Sequence, residues 1–475
     1  MIAISITVIF VLIGIFLALT KPKLLLYAMV FFVGWHSVFV DIGFTITAYR
    51  LIIVIFWLCL PVYLSLRKHD STLKFPPSIK WLFAFVSYTI AVTLIAWFFI
   101  PEIYIAGFAR GEGRWIFQIA MLLITISPAL LPLIFFKKIE DVKTAGKVFI
   151  VSTAILCIIG WVQSLAFYLH GIALFPIPVE GLLGDIRRII TVDMFGVTFH
   201  RMHSLGGEPR DFSMTVAVAI ILLLIARMGG YGKFKFSNLL LIFFLMSLFM
   251  SLSTSGVVVL AMGLALIIIL PFFTSKQRFK LAFKPIATVV AITALLFGAI
   301  VSVGILPLDI MKDILWERTF ARTPIELFDA ATLRFLSAHP QHGLFGMGMG
   351  NMHLYVRDYL VQYGLYNPEA AWVVPMAHDI IFVPLSGYLK LLSEIGIIGL
   401  ILFLGAYLSP IRRNFKYSRY ISDSSFKSLV GGLSYFAIFA VVAYLARTIL
   451  IDVAFIALGW VYFLNREAAT ILRKQ

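Results

Sequence analysis

The sequence predicts an all-α fold, a polytopic membrane bundle of about thirteen (12–14) transmembrane helices with a large extracytoplasmic loop containing short amphipathic helices. Three observations predict it. Hydrophobic residues make up 61 % of the 475, charged residues only 13 %, and mean hydropathy is +1.00, whereas soluble domains carry about a quarter charged residues. Stretches such as Trp81–Ile100 and Pro285–Leu306 are too long and too uniformly apolar for the ~10-residue alternating strands of a membrane barrel. The connecting segments, finally, alternate in charge along the whole chain.

Taken in order, the expected spans lie near residues 2–19, 24–40, 48–66, 81–100, 115–136, 148–169, 212–226, 237–251, 255–273, 286–306, 380–409, 429–446 and 448–464. The last two are short enough in their connection to form a re-entrant pair. The eighth and ninth meet at a polar turn, Ser251–Gly256. Residues 1–307 would form an N-terminal bundle of about ten spans, 308–378 the large loop and 379–475 the C-terminal helices. Met1 to Phe10 lack a basic n-region and the apolar stretch continues to Lys21, so the first span reads as uncleaved rather than as a signal peptide. Cys59 and Cys157 each sit inside an apolar run, where they behave as small hydrophobes, and no disulfide framework is implied.

Every second connection is basic. Lys21/Lys23, Arg67–Lys80, Lys137–Lys147, Arg227–Lys235, Lys276–Lys284, Arg412–Lys427 and Arg466–Lys474 hold 25 of the 39 basic residues and five of the 23 acids. The positive-inside rule places them in the cytoplasm, with the amino terminus outside and the carboxy terminus inside. The +16 net charge is then a topological signal, and no nucleic-acid partner is needed. The inner set is 17 Lys to 8 Arg, and the outer set is 12 Arg to 2 Lys, with eight of the nine histidines. Arginine is the side chain for forked contact with phosphate or carboxylate. The outer face is therefore expected to handle an anionic ligand.

Three outer segments carry the candidates. In the first, PEIYIAGFARGEGR, Arg110 and Arg114 stand one helical turn apart. The second ends in TFHRMHSLGGEPRDFS, where Arg201, His203, Glu208, Arg210 and Asp211 crowd together. There Gly206-Gly207 allows close backbone approach and Pro209 suits a first helical turn, so that free N–H groups add to the positive potential. The third, Leu308–His378, holds seven acids, five basic residues and four histidines. Within it Thr323-Pro324-Ile325-Glu326 is a capping box opening a helix that runs to His339. Ile325, Phe328, Phe335 and Leu336 lie on one side of that helix, and Arg334 projects from it. The glycines of HPQHGLFGMGMGNMH promise a flexible turn able to wrap a ligand. They follow no strand, which rejects a dinucleotide fingerprint. His339, His342 and His353 match no metal-ligand spacing, and no metal or other cofactor is expected. Tyr355, Tyr359 and Tyr363, with Trp372 nearby, read as an interfacial aromatic belt or a ridge to stack on sugar rings. His378, beside Asp379 at the mouth of the next span, has the chemistry of a general base near neutrality.

The loop opens with H-P-x-x-G-x-x-G (His339-Pro340…Gly343…Gly346). It closes with a histidine leading L-x-x-L-x-E-x-G-x-x-G (Leu389…Leu392…Glu394…Gly396…Gly399). This pattern resembles the O-antigen ligase and O-antigen polymerase superfamily of bacterial envelope glycosyltransferases, specifically over about 320–400 and more loosely around 198–213. The resemblance implies that arginines bind a lipid pyrophosphate and a histidine acts as base. These roles fall on Arg201 with Arg210, on Arg334, and on His378, with Glu208, His203, His339, Arg110, Arg114 and Asp379 expected at the substrate. Aspartate follows His378 where asparagine is commoner. EPRDFS is closer to the E-P-S of polysaccharide polymerases than to the ligase motif, which favours a polymerase over a ligase. The expected partners are a polyprenyl-pyrophosphate-linked oligosaccharide, membrane lipid and a chain-length regulator protein, in the bacterial inner membrane. A transporter or flippase of polysaccharide precursors would want ionisable groups or broken helices at mid-membrane, and the predicted span centres are almost free of charge.

Overall fold

The computed structural model describes residues 2–41, 45–66, 75–99, 111–172, 174, 177–178, 187–188, 191–194, 197–229, 237–274, 324–366 and 386–474. The expected span at 286–306, together with Arg110, Trp372, His378 and Asp379, lies outside them, as do the side chains of Arg114, His353 and Tyr363. The helices are α1 (Ile2–Thr20), α2 (Pro22–Phe32), α3 (Ala48–Leu66), α4 (Lys80–Phe99), α5 (Gly111–Phe135), α6 (Ile139–His170), α7 (Pro209–Gly229), α8 (Ser237–Met250), α9 (Thr254–Thr274), α10 (Pro324–Ala338), α11 (Pro340–Phe345), α12 (Met352–Tyr366), α13 (Gly387–Tyr417), α14 (Ser424–Ala446) and α15 (Ile451–Lys474). Among the described residues seven helices are long and apolar enough to cross a membrane, and four shorter apolar helices accompany them. Large apolar side chains such as Leu12, Leu58, Phe98 and Leu169 face outward, as they do in a bundle whose solvent is lipid.

The bundle is built around α7, which packs on α8, α9 and α14. From Phe212 to Leu224 this helix is sealed on every side. A helix that is apolar all round belongs at the centre of a bundle, and small residues let its neighbours close in. A Cβ on Gly263 of α9 would meet Ile221, and one on Gly34 would meet Thr215. Because α7 is central, its first turn carries Arg210 to the middle of one end of the bundle.

The two ends differ in chemistry. At one end Asp141 closes the start of α6, accepting from the backbone N–H of Lys137 (2.8 Å) and Lys138 (3.0 Å) and from Lys23 Nζ (3.0 Å). Nearby, Arg466 Nη1 donates to Leu133 O (2.6 Å) and Nη2 to Phe136 O (3.2 Å). It satisfies carbonyls that the end of α5 leaves without helical partners. The opposite end collects the C-termini of α2 and α14 and the N-termini of α3, α7, α13 and α15.

Several expectations need correction. The second span is not a helix to residue 40: α2 ends at Phe32, the chain turns at Gly34–Trp35, and Phe39–Asp41 (β1) pairs antiparallel with Thr45–Thr47 (β2). Two further hairpins precede α7: Ile177–Pro178 (β3) with Arg187–Arg188 (β4), and Thr191–Met194 (β5) with Val197–His200 (β6). Their strands are only two to four residues long, too short for a period-two alternation to show in the sequence. α6 begins at Ile139, nine residues before the apolar run, because its cap lies among charged residues. The last two helices are 23 and 24 residues long and are joined by a single turn, Thr448–Leu450.

The large loop differs most. α10 ends at Ala338 and Pro340 starts a new helix, α11, rather than merely stopping the old one. Ala331, Phe335 and Leu336 of α10 pack on Met347, Met352, Val356 and Leu360 to form a small second core. Tyr355 and Tyr359 join it, with rings 6.1 and 5.5 Å from that of Phe335. Tyr355 and Tyr359 are thus half-buried on the face of α12 that meets α10. The glycine-rich turn packs against protein: Gly346, Gly348 and Gly350 adopt positive φ against α13, α4 and α5.

Candidate functional site

The mouth of the bundle at α7 encloses a cavity of about 370 Å³, within the ~300–1,000 Å³ of ordinary ligand sites. Four cations, Arg50, Arg210, Lys390 and Arg447, line it with one carboxylate, Asp452, and with His36 and Tyr49. Each is set by a helix terminus. Thr47 Oγ1 accepts from Arg50 N (3.4 Å) at the start of α3, an N-cap arrangement. Ser386 likewise caps α13, accepting from Leu389 N (3.4 Å), while its hydroxyl donates to Leu445 O (3.3 Å). That bond ties the start of α13 to the end of α14, and a Cβ at Gly387 would strike the carbonyl of Tyr444. Lys390 and Arg447 are brought to one wall by this approach. Arg447 ends α14, its N–H donating to Ala443 O (2.8 Å), and Asp452 opens α15.

The cations are unequally neutralised. Arg210 is paired with Asp211 (3.2 Å) and Glu208 (3.3 Å). Arg50, Lys390 and Arg447 make no ion pair with any described residue. Burial, together with the charge of Arg210, pushes the Arg447 guanidinium below the ordinary arginine range, although an arginine stays charged at any working pH. Asp329 of α10 opposes that effect, so the amphipathic helix passes close to the cavity. Burial likewise lowers the pKa of His36, leaving a neutral ring at pH 7. Tyr49 is only 3 % exposed, and its hydroxyl finds no partner among the described residues.

The structure distributes the predicted site residues unevenly. Arg210 lines the cavity and is held by ion pairs to Glu208 and Asp211, which do not line it, and Pro209 is the first residue of α7 as expected. Gly207, with φ +92°, lies against His36. Arg201 and His203 do not line the cavity. Arg201 Nε donates to Ser251 O (3.3 Å), meeting a carbonyl left over at the end of α8. His203 is buried, with Nε2 2.8 Å from Gln163 Nε2 and Nδ1 3.1 Å from Arg201 O. Ser204, at φ +56°, is pinned by Gln163 Oε1 (3.0 Å) and by Leu156 O (2.7 Å). The His200–Ser204 segment is therefore a clamp holding the entry to α7. Arg334 is exposed on α10 and does not line the cavity. His339 bonds Tyr359 Oη (3.1 Å) and packs on Phe335, so it serves the small core.

The loop-opening and loop-closing elements meet. Gly396, at φ +67° and ψ −178°, breaks the helical ladder of α13, which frees the carbonyls of Ser393 and Glu394. Met347 N takes the first (2.9 Å) and Gly348 N the second (2.9 Å), while Gly350 N donates to the buried Glu394 Oε1 (3.0 Å). A Cβ on Gly346 would lie 2.5 Å from Glu394 O, and one on Gly396 would meet Leu344 O. Only glycine permits this contact.

Sequence reasoning missed Arg50, Lys390, Arg447, Asp452 and Tyr49. A signal existed for Arg447, a lone guanidinium between two apolar runs with almost no loop. No protein-family model matches this sequence, and no curated protein matches it significantly.

Proposed function

We propose that this chain is a membrane-embedded glycosyltransferase of the polysaccharide (O-antigen-type) polymerase kind. It moves a polyprenyl-pyrophosphate-linked glycan to the hydroxyl of a lipid-linked repeat unit on the outer side of the bacterial inner membrane. The observation that supports this reading is the docking of His339–Gly346 onto Leu389–Gly399. These two elements carry the resemblance, and Lys390 of the second lines the cationic cavity.

In the proposed reaction the acceptor oxygen attacks the anomeric carbon and the bond from that carbon to the pyrophosphate oxygen breaks. The leaving group takes the electron pair, and its charge is met by arginine forks. His378 removes the acceptor proton, and a single displacement inverts the anomeric centre. Chain growth from a lipid-linked repeat unit, followed as a ladder on gels, tests the reading. His378→Ala is expected to abolish the ladder while the protein remains folded in the membrane, and a wild-type ladder in that variant refutes the assignment. Gene deletion separates the two members of the class: loss of a polymerase leaves single repeat units attached, whereas loss of a ligase leaves undecorated acceptor.

A further inference from the structure

The cavity mixes two kinds of binding group. Arg50, Lys390 and Arg447 present positive charge that no described carboxylate within ion-pair distance offsets. Asp452 lines the same cavity and adds a hydrogen-bond acceptor, which a bare phosphate, itself presenting acceptors, does not use. A carboxylate inside an anion site suits a ligand that also brings hydroxyl donors, for which carboxylate oxygens are strong acceptors. Tyr49 is a second such group, 97 % removed from solvent by its 3 % exposure, with a hydroxyl lacking any described partner. A buried hydroxyl left unpaired costs free energy that a ligand can recover. The space of about 370 Å³ equals that of roughly a dozen waters at ~30 Å³ each, room for one sugar ring with its substituents.

We infer that this cavity binds a single monosaccharide unit carrying an anionic substituent, phosphate or carboxylate. The anion sits on Arg50, Lys390 and Arg447, and the ring hydroxyls reach Asp452 and Tyr49. The inference rests on the glycan-transfer reading for its place in the reaction, and it names the class of sugar handled there.

The test is equilibrium binding to the purified full-length protein in detergent at fixed ionic strength. The probes are glucose 1-phosphate, glucuronate, glucose and inorganic phosphate. At least one sugar anion is expected to bind about tenfold or more tightly than both glucose and inorganic phosphate, as a site built for charge and hydroxyl together discriminates. Tight glucose 1-phosphate identifies a phosphate site, and tight glucuronate a carboxylate site. Arg447→Gln and Lys390→Gln should each weaken the sugar anion about tenfold or more. Asp452→Asn and Tyr49→Phe should weaken it while leaving inorganic phosphate within about twofold, because only the hydroxyl contacts are lost. Equal wild-type affinity for all four probes overturns the inference, as does wild-type binding by folded Arg447→Gln and Asp452→Asn. Should the variants fail to fold, the wild-type comparison decides alone. Binding without chain elongation would sink the glycan-transfer reading and leave the site, whereas elongation without binding would sink the site only.

Discussion

At Arg210 the fold and the proposed function meet in one residue. It opens the central helix, is paired on both sides by Glu208 and Asp211, and still lines the cavity. Lysine keeps its charge but loses the planar fork. Arg210→Lys is therefore expected to slow chain elongation by roughly 10²-fold, the scale of losing one transition-state donor, with little change in melting temperature. An unchanged rate would remove Arg210 from the reaction. His200 gives a second prediction at this scale. Its ring is buried against Phe167 and His203, and Nε2 has no described partner. Burial, with His203 adding, lowers its pKa to about 4, against about 6.5 in an unfolded chain. The fold thus holds the neutral ring. Its contribution to stability is complete above about pH 6.5 and drains away as pH falls toward 4. The melting temperature of wild type should decline across that window, and His200→Phe should flatten the decline.

At the scale of the element, the break in α13 decides how the loop docks. The φ and ψ of Gly396 belong to a region essentially closed to other residues, where a side chain costs about 1–3 kcal/mol. The contact with Leu344 O adds to that. Gly396→Ala should lower the melting temperature by several degrees and make the half-buried Arg357 a new site of trypsin cleavage. Unaltered digestion would mean that the loop is held by other contacts. The sequence displayed these glycines but not their partner, because a glycine run is equally the signature of a flexible loop and of backbone packed on backbone. The amphipathic helix, by contrast, was legible: Phe335 and Leu336 are buried and Arg334 is exposed, as their spacing demands.

For the whole molecule, the question is which end faces the cytoplasm. The charge pattern predicts that the Lys23–Asp141–Arg466 end is internal. With Cys59 and Cys157 buried and replaced by serine, single cysteines at exposed positions report the side. Ser337→Cys should react with an impermeant maleimide in intact spheroplasts, and Tyr420→Cys only after lysis. The reverse pattern would put the cavity on the wrong face for a lipid-linked sugar acceptor and end the proposal.

Composition and charge alternation by themselves determined that this is a helical membrane chain, where most of its helices lie and which connections share an end. Lipid solvent makes those features local, since each span must be apolar along its own length. Tertiary structure alone decided the site. Arg50, Arg210, Lys390, Arg447 and Asp452 stand at the ends of five helices, and a central helix sealed on all sides brings these termini to one mouth. It also shows Arg201, His203 and His339 making internal bonds, since a side chain's partner depends on what packs against it and not on its neighbours in the chain.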